Sequence, residues 1–181
     1  MPSPRPGKAD DRDLTMPRAA ARKLAELMGA LDRSLATVND AADAARAGIR
    51  QRALAPYYDY RASLAEYEAV VLVIRNAIKE QSEVVAERTR RILLEREREI
   101  LALTIRSALD FFFALSAIPN LSLGIRECFT QELRSLKSAE RRVSSDIHRG
   151  SIPADLEGDL ETAREILNEI MEKAPTMLSF D

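Results

Sequence analysis

The amino-acid sequence predicts an all-α protein: an elongated four-helix arrangement in which an N-terminal coiled-coil-like hairpin and a C-terminal three-helix bundle share one long helix. Three observations lead there. No stretch alternates polar and apolar residues as a half-buried strand would. Pro17, Pro56, Pro119, Gly150 with Pro153, and Pro175 punctuate the chain into four segments. Within those segments apolar residues recur at helical spacing.

The first segment, from about Met16 to Arg52, places Pro17 in a first helical turn, where its missing N–H costs nothing. Ala21, Leu24, Met28, Leu31, Leu35, Val38, Ala42, Ala45 and Ile49 follow alternating steps of three and four, the a/d pattern of a coiled-coil seam. Ala41, Ala44, Ala47 and Gly48 line its C-terminal half with small residues that admit close approach of another helix.

Neither glycine nor proline occurs from Tyr57 to Ile118. A single helix there would span about 90 Å. Its first half carries a seam at Leu64, Tyr67, Val71, Ile74 and Ile78, widened by Val70, Ala77 and Val84. Gln81, Arg88 and Glu95 then occupy positions where the repeat needs apolar groups, so the helix is expected to be continuous or bent within residues 86–99. The apolar set resumes in a shifted register at Leu101, Ile105, Ala108, Phe112 and Leu115, joined by Ile100, Leu103, Leu109, Phe111, Phe113 and Ile118. Three adjacent phenylalanines sweep an arc of about 200° around a helix. A hairpin cannot cover that arc, and a three-helix core can. Phe112 is expected on the shared seam, with Phe111 and Phe113 diverging against the third and fourth helices.

A third helix is expected from about Ser122 to Arg149, its end marked by Arg141, Arg142, His148 and Arg149 before Gly150. The fourth begins at "SIPADLE" with acidic residues in its first turn. Leu156, Leu160, Ala163, Ile166, Leu167 and Ile170 give it one apolar face, ending near Pro175. The expected organisation is a tail over 1–14, one helical domain over 15–174 with the hairpin at 15–85 and the bundle at 100–174, and a tail over 175–181.

The composition is that of an ordinary soluble domain, 46% hydrophobic and 31% charged. A net charge of −2 supplies no overall attraction to nucleic acid or anionic lipid. The charge is uneven. From Ala154 onward, Asp155, Glu157, Asp159, Glu161, Glu165, Glu169, Glu172 and Asp181 face only Arg164 and Lys173, a local −6 that leaves +4 on the remainder. One cysteine, Cys128, excludes an intrachain disulfide, and the polar start "MPSPRPGKADDRD" lacks the apolar core of a secretory signal, so a cytoplasmic location is expected.

A lone histidine excludes the paired Glu-x-x-His sites of di-metal bundles and the usual zinc sites. Phosphate-binding glycine loops and nucleophile elbows are absent from the sequence. His148 reads as a helix-end cation and Cys128 as a core thiol. Arg88, Arg90, Arg91, Arg96 and Arg98 interleave with Glu87, Glu95, Glu97 and Glu99, which makes a solvated face tied by local ion pairs and no nucleic-acid patch. The apolar stretch from Ile100 to Ile118 has a spanning length, but Arg106 and Asp110 near its middle disfavour stable membrane insertion and can pair with each other.

These exclusions leave a non-enzymatic interaction module without cofactor or metal, an adaptor or partner-specific chaperone acting through coiled-coil or helix-groove contacts on a protein partner. The expected partner-binding residues are Tyr57, Tyr58 and Tyr60 of "PYYDY", with Phe111 and Phe113. Leu24, Met28, Leu31, Leu35 and Val38 form an expected homodimer seam. The alternative is a ligand-sensing bundle whose small-residue helix or Phe cluster encloses a small apolar molecule. A third reading, a helical protein of the membrane surface, is weakened by the acidic net charge.

Overall fold

In the computed structural model, which describes residues 15–51, 53–116, 123–145 and 154–177, every regular element is helical. The elements are α1 (Thr15–Arg50), α2 (Ala55–Ala77), a 3₁₀ turn (Ile78–Glu80), α3 (Glu83–Ser116), α4 (Leu123–Val143) and α5 (Ala154–Met177). The expected tail at 1–14, the end of the third segment with His148, and residues 178–181 lie outside the described residues.

The α1–α2 hairpin forms as the seam requires. Leu24, Leu31, Leu35, Val38, Ala42, Ala45 and Ile49 are buried, Met28 is half-buried, and only Ala21 at the start is exposed. Their covering comes from the same chain, through Tyr57, Tyr60, Leu64, Tyr67, Ile74 and Ile78 of α2 and the turn that follows it. The small residues serve this intrachain contact. A Cβ on Gly48 would lie 2.9 Å from the Ala53 carbonyl oxygen and 3.0 Å from Pro56 Cγ, so only glycine lets the chain reverse this tightly. The Gly48 carbonyl in turn accepts from the Gln51 and Ala53 N–H groups at 3.0 and 2.8 Å.

The long second segment does not run as one helix, nor does it bend within residues 86–99. It breaks at 78–82, where Gln81 leaves the helix with extended backbone (φ −98°, ψ 162°), and α3 then runs unbroken through the charged stretch. Ser82, a residue type favoured ahead of a helix, precedes Glu83 in the new first turn, and the Ala86 N–H donates to the Ser82 carbonyl at 2.9 Å. Val84, expected to widen the α2 seam, is 82% exposed beyond the break.

The break lets α3 fold back along α2, antiparallel to it, so that Arg75 meets Glu97 and Tyr57 meets Phe111. It also lays α3 parallel to α1. Arg96 pairs with Asp32 at 3.0 Å and Arg46 with Asp110 at 2.6 Å, each bond crossing from α1 to α3. Arg106 and Asp110 therefore do not pair with each other; Arg106 reaches Asp159 of α5 at 3.0 Å. No helix among the described residues is long and apolar enough to cross a membrane.

Helix α4 packs antiparallel on α3 and ends at Val143, six residues before the expected Arg149. Helix α5 docks on the α3–α4 pair through Leu156, Leu160, Ala163 and Leu167, and continues past Pro175 to Met177. Among the described residues, the buried apolar side chains form one contiguous core.

Candidate functional site

The expected aromatic site divides between interior and surface. Tyr57 and Tyr60 are each 1% exposed and plug the hairpin, while Tyr58 on the next face is half-exposed. Phe111 is buried against Tyr57 of α2, with ring centroids 5.6 Å apart, a contact the sequence did not lead one to expect. Phe112 stacks edge-on to Phe129 of α4 at 5.3 Å. Phe113 is 60% exposed. Of the five aromatic positions read from the sequence, then, Tyr58 and Phe113 stand at the surface and the others build the core. The seam residues Leu24, Leu31, Leu35 and Val38 are likewise interior to this one chain.

Below Tyr57 lies a polar cluster that the sequence did not reveal. Glu132 of α4 is 1% exposed on its side chain, its nearest cation being Arg61 of α2 at 3.7 Å. Neither Glu132 oxygen, nor the Tyr60 hydroxyl, nor Ser107 Oγ has a hydrogen-bond partner among the described residues. Burial raises the Glu132 carboxyl above its ordinary pKa, with the Arg61 charge opposing the shift. Burial also raises Tyr57, whose hydroxyl donates to the Cys128 carbonyl across a long 3.4 Å. The Cys128 thiol is pushed up by burial too, which holds it in the protonated, unreactive form. A cavity of about 10 Å³ lies among Ala42, Ala45, Tyr60, Ser107, Phe111 and Glu132, room for a single water and not for an apolar ligand. The missed signal was Glu132 itself, at a spacing from Cys128, Leu136, Ala139 and Val143 that puts it on the apolar face of α4.

The surface feature of consequence is a groove. Helices α2 and α4 both lie against α3 and run parallel to each other, joined by side chains such as Arg61, which donates to Ser135 Oγ at 2.8 Å. Between them opens a cleft of about 540 Å³, floored by Leu64, Ile100 and Leu101 and walled by Arg61, Glu68, Arg134, Ser135, Ser138 and Arg142. It continues into a second hollow of about 320 Å³ over Tyr67, Val71, Leu72, Leu93 and Glu97, sharing Glu68, Ile100 and Arg142 with the first. Leu72 on its rim is 61% exposed. Desolvation pushes the Tyr67 hydroxyl up to about 12, so it stays neutral in this floor. The groove runs from Arg61 to Arg75, about 20 Å along α2, or about four helical turns.

The expected local pairing of the charged stretch holds for Arg90, which bonds Glu83 and Glu87. Glu97 works between helices instead, gripping Arg75 of α2 and Arg142 of α4 across the groove floor. Among the described residues no group of three or more His, Cys, Asp or Glu side chains is arranged to hold a metal. The chain matches no family model, no curated protein and no solved structure.

Proposed function

We propose that this chain is a non-enzymatic protein–protein interaction module, an adaptor or partner-specific chaperone that seats a helix of its partner in the groove between α2 and α4. The observation that carries the reading is the continuous cleft over α3, whose length, apolar floor and polar walls fit the helix-in-groove mode of recognition. Two further features favour it. The α1 seam and the inner face of α2 are consumed in intrachain packing, while the outer flank of α2 keeps Leu72 and Val73 exposed. The sole cysteine, Cys128, is buried, and burial pushes its thiol toward the protonated form.

The test is site-specific photo-crosslinking of the full chain in its native cell. A benzophenone side chain at Ser138 or Leu72, within the groove, should join to one discrete partner protein; the same group at Arg22, on the exposed start of α1, should not. Equal products from both places, or none from the groove, would overturn the proposal.

A further inference from the structure

We infer that the helix seated in this groove is acidic: an amphipathic partner helix with Asp or Glu flanking an apolar stripe. The inference rests on the groove being a helix-binding surface and adds the chemistry of its occupant. Four arginines stand on the two walls, Arg61 and Arg75 on α2 with Arg134 and Arg142 on α4, against two acids, Glu68 and Glu97. Glu97 is already held between Arg75 and Arg142. The walls therefore carry a positive excess in a chain whose net charge is −2.

Arginine on both sides of an apolar floor is the complement of one particular pattern, a leucine-type seam bordered by carboxylates. Guanidinium groups receive carboxylates through paired N–H donors. Ser135 and Ser138 stand beside Arg134 as further donors on the same wall. Arg61 stays available although it faces Glu132, because 30% of its side chain remains exposed toward the cleft.

The fold contains its own example of this recognition. Helix α5 lies in the −6 segment, buries Leu156, Leu160 and Ala163 against the α3–α4 pair, and places Asp159 on Arg106 at 3.0 Å. Its Arg164 bonds Glu140 and Ser144 of α4 at 2.9 Å each. Helical spacing sets Glu140 and Ser144 on the side of α4 opposite Arg134, Ser138 and Arg142. An acidic amphipathic helix thus already covers one flank of α4, meeting an arginine of α3 through Asp159 and an acid of α4 through its own Arg164, and the groove is the other flank, where α4 presents arginines instead. A nucleic-acid strand fits less well, since Glu68 and the apolar floor would oppose its phosphates.

The experiment uses the full chain, isotope-labelled for NMR, and three synthetic helical peptides of about four turns that share one leucine seam and carry Glu, Gln or Lys on the flanks. The Glu peptide should shift the amides of Arg134, Ser135 and Ser138 and bind about tenfold more tightly than the Gln peptide, with the Lys peptide weakest. Arg134→Glu, at an exposed position, should weaken the Glu peptide about tenfold and strengthen the Lys peptide, with an unchanged melting temperature; Ser138→Glu should act in the same direction. Binding of the Gln or Lys peptide in the groove as tightly as the Glu peptide would overturn the acidic assignment and leave the groove reading standing. If no peptide shifts the groove amides, both are overturned. Groove shifts that grow with protein concentration alone, or that oligothymidine produces more strongly than the Glu peptide, would assign the surface to a second copy or to nucleic acid and overturn the inference.

Discussion

Glu132 shows how a single residue can oppose the stability of the fold around it. Burial raises its pKa in the folded chain, so between the ordinary carboxylate range near 4.5 and that higher value the folded state holds a proton the unfolded state has released. Stability should therefore be full below about 4.5 and decline as pH rises through this window. Glu132→Gln removes the titration. The variant should lose this part of the decline and be more stable than the parent at neutral pH, because an amide carries no charge to desolvate and Arg61, with 30% of its side chain exposed, is not stranded by the change. Urea titrations across pH check it; a destabilised variant would mean that the Arg61 pair outweighs desolvation. The phenylalanines give a second residue-level prediction. Phe111→Ala and Phe112→Ala should each cost about 3–5 kcal/mol as core truncations, whereas Phe113→Ala should stay within about 0.5 kcal/mol of the parent. Three equal losses in thermal melts would contradict the placement of Phe113 at the surface.

Among the elements, the α1–α2 reversal depends on one missing side chain. Helical propensity alone favours alanine over glycine by about 1 kcal/mol, so Gly158→Ala, where an added Cβ meets nothing within 4 Å, should stabilise α5. Gly48→Ala should do the opposite and destabilise by about 1–3 kcal/mol, because its Cβ would press on the Ala53 carbonyl and on Pro56. Denaturant midpoints of the two variants should move in opposite directions. Helix α5 packs through a single apolar face against two helices, and its ion pairs to Arg106 and Glu140 are partly solvated. Its amides should exchange faster than those of α1, α2 and α3, and faster still at high salt, which screens such pairs. Protection of α5 equal to that of α3 would show that α5 opens only with the whole core.

At the scale of the whole molecule, the decisive event is the return of α3 along the hairpin. It adds α3 to a seam that α2 already covers, and it lays α2 and α4 side by side with the groove between them. Leu31 is fully buried within the one chain, where α2 packs against its helix. Leu31→Asp should abolish cooperative unfolding, since a buried unpaired charge has no compensation. Light scattering that found the parent dimeric and Leu31→Asp a well-folded monomer would refute this packing.

What the sequence determined by itself is what one-dimensional periodicity can carry: the all-α class, the seam from Leu24 to Ile49, the entry of the first helix near residue 15, and the apolar faces of α3 and α5. These depend on spacing within one helix, and spacing is visible in the letters. The break at 78–82 was legible only in part. The seam does fail at Gln81, and Ser82 with Glu83 makes a helix start, but neither glycine nor proline marks the place and a polar run reads equally as a solvated face. Tertiary structure alone decided which helix each apolar face meets: that Phe111 turns to Tyr57, that Phe113 is left at the surface, that Arg106 and Asp110 part toward different helices, and that Glu132 is buried. The physical reason is that burial belongs to pairs of faces. A helix specifies which residues it must cover, and only the path of the chain after residue 82 specifies what covers them, and hence where the groove opens.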